Sequence, residues 1–213
     1  MENIGSNRTM ETTTPIPGGL NFTISKTWDG GVPSDHSEIH IKLTLQGEED
    51  AQTLLIQVDA PFFNDPQPPA SLSPPGSTPQ LWDYEVVELF FLGDEDKYLE
   101  VELGPRGHYL VLQLHGVRNI IREHLPLDRY VTEVRGTRWF GEASVPLAYF
   151  PHNVHSTNMY AIHKSDPHRV YMALSPAVDN SKCPHSSPDF HRLQYFQHID
   201  LFPRLCKGDE AVG

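Results

Sequence analysis

Residues 82–114 read WDYEVVELFFLGDEDKYLEVELGPRGHYLVLQL, three apolar runs of strand length separated by two turns. Gly93 to Lys97 and Gly104-Pro105-Arg106-Gly107 carry the residues that reverse a chain, so the segment predicts a three-strand meander. Loops of five and four residues set the register. Leu92 then opposes Tyr98, Phe90 opposes Glu100, and Glu88 opposes Glu102. In the second pair Leu103 opposes His108, Glu102 opposes Tyr109, and Glu100 opposes Val111.

Because strand side chains alternate, this register sorts the segment into two faces. Val87, Leu89, Phe91, Leu99, Val101, Leu103, Leu110 and Leu112 form a core face. The other carries Glu88, Glu100 and Glu102 among Phe90, Tyr98, Tyr109, Val111 and Gln113. Like charges directly across a strand pair destabilise it, so Glu88 beside Glu102 needs a compensating group. An arginine from a neighbouring strand would serve, with Arg138, Arg169 and Arg192 available. A calcium ion would serve, since hard cations take clustered oxygens. So would a polyhydroxyl ligand, its hydroxyls donating to the carboxylates while an aromatic ring stacks on its apolar face.

Outward from this segment, period-two alternation continues. Ile39, Ile41, Leu43 and Leu45 alternate with polar residues, as do Leu54, Ile56 and Val58. Further strands are expected at 85–92, 98–103, 108–114, 138–145, 158–163, 169–174 and 195–201, which makes an all-β antiparallel sandwich or barrel. The best helical spacing is Gly116 to His124, where a strand fits almost as well. Residues 65–80, DPQPPASLSPPGSTPQ, cannot join a ladder because proline lacks the N–H, and read as a Pro-rich surface insertion within one domain. The expected division is a disordered tail over 1–17, one β-sandwich domain over 18–203 and a C-terminal tail over 204–213.

The 213 residues hold 16 Lys+Arg against 28 Asp+Glu, a formal net charge of -12. An acidic chain without a basic block is repelled by phosphate backbones and anionic lipid, so neither nucleic acid nor a membrane is an expected partner. No apolar run reaches the roughly 20 residues of a membrane span. The Asn/Ser/Thr-rich N-terminus shows no secretory signal, which also idles the sequons at Asn7 and Asn21. Cys183 and Cys206 lack metal-type spacing and read as free thiols of a reducing compartment, so the expected location is cytoplasmic.

Motifs of catalysis are missing: no G-x-S-x-G, no H-E-x-x-H, no P-loop and no dinucleotide fingerprint. The 12 histidines share no tight ligand spacing. His191, in Pro188-Asp189-Phe190-His191, stands out because an apolar neighbour and a preceding proline could fix its ring near the sheet.

Trp82-Asp83-Tyr84-Glu85-Val86-Val87-Glu88-Leu89-Phe90-Phe91, the turn GPRGHY at 104–109, Trp139 through Val145-Pro146-Leu147 and PDFHRLQYF at 188–196 together resemble family-nine carbohydrate-binding-module-like, or DOMON-like, β-sandwich domains. Within that group the chain resembles an uncharacterised family of stand-alone proteins with a vertebrate branch. The resemblance covers about Leu20 to Phe202 and implies an antiparallel, jelly-roll-like sandwich. Sugar-binding members of the wider group clamp a saccharide between two tryptophans beside an acidic residue. Trp82 and Glu88 match the first tryptophan and that acid. The late Trp-Ser-Pro of related domains is here Leu174-Ser175-Pro176, leaving Tyr171 or Phe190 to stand in for the second ring. Structural calcium is known in such domains, with no ligands assignable here. Trp28 and Trp139 read as core aromatics.

The sequence therefore predicts a non-catalytic, cytoplasmic binding module for a small polar ligand such as a saccharide, held by Trp82, Glu88, Glu100, Glu102, Tyr109 and His191. No cofactor is expected beyond calcium, the metal ligands are undefined, and a protein partner is unspecified. Two alternatives stand: a metal-assisted enzyme using the Glu cluster with His191, and an interaction module acting through the Pro-rich loop.

Overall fold

The computed structural model describes residues 19–33, 37–47, 52–178 and 187–201. The expected tails at 1–17 and 204–213, with Cys183 and Cys206, lie outside them. Among the described residues thirteen strands run in chain order: β1 (Leu20–Ile24), β2 (Lys26–Thr27), β3 (Ile39–Gln46), β4 (Thr53–Pro61), β5 (Val86–Leu92), β6 (Lys97–Leu103), β7 (Tyr109–His115), β8 (Ile120–Arg122), β9 (Arg129–Arg135), β10 (Arg138–Pro146), β11 (Ser156–His163), β12 (Val170–Ala173) and β13 (Gln197–His198). They form two antiparallel sheets. One has the order β1-β3-β4-β10-β9; the other runs β2-β12-β11-β5-β6-β7-β8, with β13 added beside β11.

The sheets pack face to face through the residues that alternation marks as apolar. Ile39, Ile41 and Leu43 of β3 and Leu54, Ile56 and Val58 of β4 meet Val87, Leu89 and Phe91 of β5 and Leu99 and Val101 of β6. Trp139 of β10 is buried in this core, as expected. Trp28 instead packs, partly buried, against a second apolar cluster on the outer face of the larger sheet. There Val86, Phe90, Leu92, Tyr98, Leu110 and Leu112 are covered by Leu81 and by Phe190. The middle of the larger sheet is thus buried on both faces, which is why every residue of β5 is buried.

The β5–β6 register is the expected one, with Leu92 opposite Tyr98, Phe90 opposite Glu100 and Glu88 opposite Glu102. The β6–β7 register differs by one residue. Leu103 faces Tyr109, Glu102 faces Leu110 and Glu100 faces Leu112. The turn holds five residues because His108 belongs to it: the Gly104 N–H donates to the His108 carbonyl at 2.8 Å. His108 is buried, with Nδ1 2.9 Å from the Thr78 hydroxyl. The Tyr109 N–H and carbonyl are taken by Gly76 and Thr78 of the Pro-rich insertion, which bridges in parallel to Tyr109. A contact with residues about thirty positions upstream sets the register, and with it every side chain of β7 changes face. Leu110 and Leu112 therefore join the Glu face, while Val111 enters the inter-sheet core.

Other differences are local. Gly116 to His124 is neither a helix nor one strand. It is a turn, with Gly116 at φ 78° and Arg118 at φ 59°, followed by the short exposed strand β8. Of 195–201 only Gln197–His198 is strand. β9 escapes an alternation reading because it is an edge strand with Val131 and Val134 exposed. The start of the Pro-rich insertion is held by Glu85, whose buried carboxylate accepts the Phe63 N–H at 3.0 Å and the Asp65 N–H at 3.3 Å. Among the described residues no helix is long and apolar enough to cross a membrane.

At the mouth of the β5–β6 turn, a side chain on Gly93 would run into the His152 carbonyl and Pro151. Gly93→Ala should lower the unfolding free energy by about 1–3 kcal/mol, the usual cost of forcing an atom into a packed site, read from urea denaturation.

Candidate functional site

The site grows from one strand face. Alternation puts Glu88 of β5 and Glu100 and Glu102 of β6 on the outer side of the larger sheet, and the covering residues take away their water. They are 2%, 3% and 0% exposed. Among the described residues, Glu88 Oε1 and Glu100 Oε2 have no hydrogen-bond partner, while Glu102 hydrogen-bonds with Glu100 and the Trp82 backbone. Burial raises all three carboxyls, Glu88 and Glu102 well above the carboxylate range and Glu100 to about 8. Mutual repulsion adds to burial for Glu88 and Glu102. The cluster is predominantly protonated at neutral pH.

None of the three arginines that the sequence offers neutralises it. Arg138 donates to Asp59 and to the Glu38 carbonyl on the opposite sheet. Arg169 donates to the backbone carbonyls of Trp82, at 2.7 Å, and Asp83. Arg192 lies 3.5 Å from Asp189.

Above Glu88 and Glu100 opens a cavity of about 350 Å³. Its walls include Trp82, Tyr171 and Phe190, and its sides are completed by Leu112, Ile162 and Arg118. Trp82 is 37% exposed, and its carbonyl accepts one hydrogen bond from Arg169. Phe190 lies flat on Tyr160 with centroids 4.0 Å apart, and edge-on to Tyr171 at 6.1 Å. Leu174 packs against the inter-sheet core, so both rings named as stand-ins for the missing tryptophan line the cavity.

His191 also lines it. Its Nδ1 is 2.8 Å from the Tyr98 hydroxyl, which already accepts the Arg118 N–H at 3.1 Å. Burial, helped by the Arg118 charge, lowers the His191 imidazole to about 4, so it is neutral at physiological pH. Burial likewise pushes the Tyr98 hydroxyl up to about 12. We assign the Tyr98 O–H as donor to Nδ1, leaving the ring proton on Nε2. The covering segment is tied to the β7–β8 turn by an Arg118–Asp189 ion pair at 2.8 Å.

Of the residues expected at the site, Trp82, Glu88, Glu100 and His191 come together around one cavity. Glu102 lies behind Glu88, opposite it on the neighbouring strand. Tyr109 is elsewhere: the shifted register turns it toward the inter-sheet core, where it meets Tyr130 edge-on at 6.1 Å. Arg118 escapes the sequence reading because its stretch has the spacing of a helix. Gly116-Val117-Arg118-Asn119 after a strand is the available turn signal. Among the described residues no group of three or more His, Cys, Asp or Glu is arranged to hold a metal ion.

Comparison with known proteins follows the same lines. No family model matches the chain. The UPF0462 protein C4orf33 homolog of Danio rerio is 45% identical over 184 residues, covering 85% of this chain and 89% of its own length. The UPF0462 protein C4orf33 of Homo sapiens is 45% identical over 185 residues, covering 85% and 88%. The chain belongs to the UPF0462 family. Among solved structures, a protein from Bacteroides uniformis provisionally named as carbohydrate-binding superposes on this UPF0462 chain with a TM-score of 0.56 at 13% identity, covering 85% of each. That likeness establishes the shared sandwich and nothing of the site. A family-nine carbohydrate-binding module from Caldicellulosiruptor kristjanssonii, solved with cellotriose, reaches a TM-score of 0.38 at 15% identity over 66% of this chain and 68% of its own. That is too loose to transfer a residue.

The raised carboxyls make stability depend on pH. Folded protein keeps protons that the unfolded chain loses near pH 4.5, so folding takes up protons above that value. Stability should be greatest below about pH 4.5 as far as these groups are concerned. It should fall as pH rises from there through about 8 for Glu100, and through the raised values of Glu88 and Glu102, at about 1.4 kcal/mol per pH unit for each proton. Glu102→Gln should remove one proton's share of that slope in melts recorded from about pH 5 to 9. An unchanged slope would mean that these carboxyls ionise as freely folded as unfolded.

Proposed function

We propose that the protein is a non-catalytic binding module that holds a small polar ligand, of the saccharide class, in the cavity above Glu88 and Glu100. One observation carries this reading: buried carboxyl oxygens without partners lie at the base of a cavity walled by aromatic rings. An unpaired buried polar group costs about 1–3 kcal/mol, and a ligand hydroxyl that reaches it recovers much of that. Rings at Trp82, Tyr171 and Phe190 suit the apolar face of a sugar, while the protonated carboxyls can donate as well as accept and the His191 Nε2–H can donate. About 350 Å³ accommodates a ligand of monosaccharide size. The Bacteroides protein of the same fold is named for carbohydrate binding, which agrees with this reading. A cytoplasmic setting belongs to the same proposal.

An enzymatic reading has one observation in its favour. A carboxyl that keeps its proton at neutral pH, as Glu100 does, is what a general acid requires. It lacks a second, ionised carboxylate in the cluster to act as base or nucleophile, so binding is preferred.

Thermal melting against a saccharide panel tests the proposal. A ligand at ten times its dissociation constant adds about 1.4 kcal/mol, a midpoint rise of about 3–6 °C for a chain of this size. Trp82→Ala should abolish that rise while leaving the unliganded midpoint nearly unchanged, because Trp82 is partly exposed. A ligand shift that survives the substitution would remove Trp82 from the site.

A further inference from the structure

Among the described residues no ion pair joins the carboxyl cluster, although the Arg118 and Arg169 charges favour ionised Glu88 and the Arg118 charge favours ionised Glu100. Glu88 Oε1 and Glu100 Oε2 lack partners beneath the cavity, among the described residues, while Glu102 interacts with Glu100 and the Trp82 backbone. The neighbouring cations make their contacts elsewhere, Arg118 to Asp189 at 2.8 Å, Arg192 to Asp189 at 3.5 Å, and Arg169 to the carbonyls of Trp82 and Asp83, with Arg169 Nε and Arg192 Nη1 buried without a partner among the described residues. Tyr98, Tyr160 and His191, which also face the cluster, carry no charge at neutral pH. Polyol hydroxyls would pair with these oxygens while the carboxyls keep their protons, whereas a cationic donor would also stabilise one of them in its ionised form. An ammonium group does both, since each of its N–H groups donates and its charge stabilises a neighbouring carboxylate. Trp82 lines the cavity and is 37% exposed, and an indole ring attracts the same charge. Calcium needs about six to eight oxygens, whereas the walls here are rings with Leu112 and Ile162.

Building on the binding-module reading, we infer that the cavity's preferred occupant is a hydroxylated organic cation, an amine on a sugar or polyol frame, with its ammonium donating to Glu88 and Glu100. Its arrival favours the ionised form of one carboxyl. One Glu O–H bond breaks, the proton passes to the buffer, and the ammonium remains opposite the new carboxylate. Binding therefore releases protons, which a neutral sugar does not require.

Titration calorimetry of the full chain with glucosamine, glucose and N-acetylglucosamine at about pH 6.5 separates the possibilities. Glucosamine should bind at least about tenfold more tightly than glucose, with proton release seen as a heat that varies between buffers of different ionisation enthalpy. N-acetylglucosamine, which keeps the nitrogen but loses the charge, should bind no better than glucose. Glu100→Gln and Glu88→Gln, each checked for a retained cooperative melt, should bring glucosamine to within about twofold of glucose. Equal affinity for glucose and glucosamine would overturn the inference and leave the binding-module reading standing. A stabilising shift with calcium chloride alone would also overturn it, assigning the oxygens to a metal. Silence from all three sugars would overturn the inference, and silence from the wider saccharide panel would remove the reading beneath it.

Discussion

Glu88 and Glu102 stand directly opposite one another on adjacent antiparallel strands, under a covering segment that excludes water. Two ionised carboxylates so placed would repel strongly in a medium that does not screen them, so the folded chain keeps protons on them. That constraint shapes the surrounding face. Tyr160 is Glu88's partner across β11, and Leu110 is Glu102's across β7, so neither neighbour brings a positive charge. The protein could have spread these acids to solvent, as an ordinary outer sheet face does. Instead it buried them.

The cover is itself held by directional contacts. Phe190 lies on Tyr160, His191 meets Tyr98, and Asp189 takes Arg118 from the far turn. Beneath it Asn158 is fully buried, donating to the Ser175 carbonyl and accepting the Ser175 N–H, which fixes the chain just beyond β12. These partners are all satisfied. Among the described residues the carboxyl oxygens facing the cavity are not, nor are the buried Arg169 Nε and Arg192 Nη1, and the unpaired oxygens at the cavity base mark where a donor belongs.

Alternation makes the strands legible, and the Gly93–Lys97 turn fixes the β5–β6 register, because both signals are local. Glu88 opposite Glu102 therefore follows from the amino-acid order alone. The β6–β7 register does not, since it depends on Thr78 drawing His108 out of the strand and on Gly76 and Thr78 taking the backbone of Tyr109. A proline-rich insertion that looks like tolerated surface thus sets which side chains of β7 face the acids. Arg118 is illegible for a related reason. Its stretch has apolar spacing that suits a helix, and only the positive φ values at Gly116 and Arg118 make it a turn. The second ring of the cavity is partly legible: the loss of tryptophan at Leu174 points to Tyr171 and Phe190, but where they lie depends on how the strands and the covering segment pack.

The shifted register also bears on how the cavity chooses its occupant. With Tyr109 on the Glu face, the cluster would have had a phenol to donate to Glu102 and would have settled one acid internally. The observed register puts Leu110 and Leu112 there instead, dry and unable to donate. Each aliphatic neighbour lowers the local polarity and raises the cost of ionising the acids, which keeps them protonated while the cavity is empty. The same low polarity strengthens any charge-assisted bond formed once a ligand displaces the remaining water. A site of this kind gains little from binding a neutral, weakly polar molecule, because the carboxyl oxygens stay unpaired. Its largest gain comes from an occupant whose donors reach those oxygens.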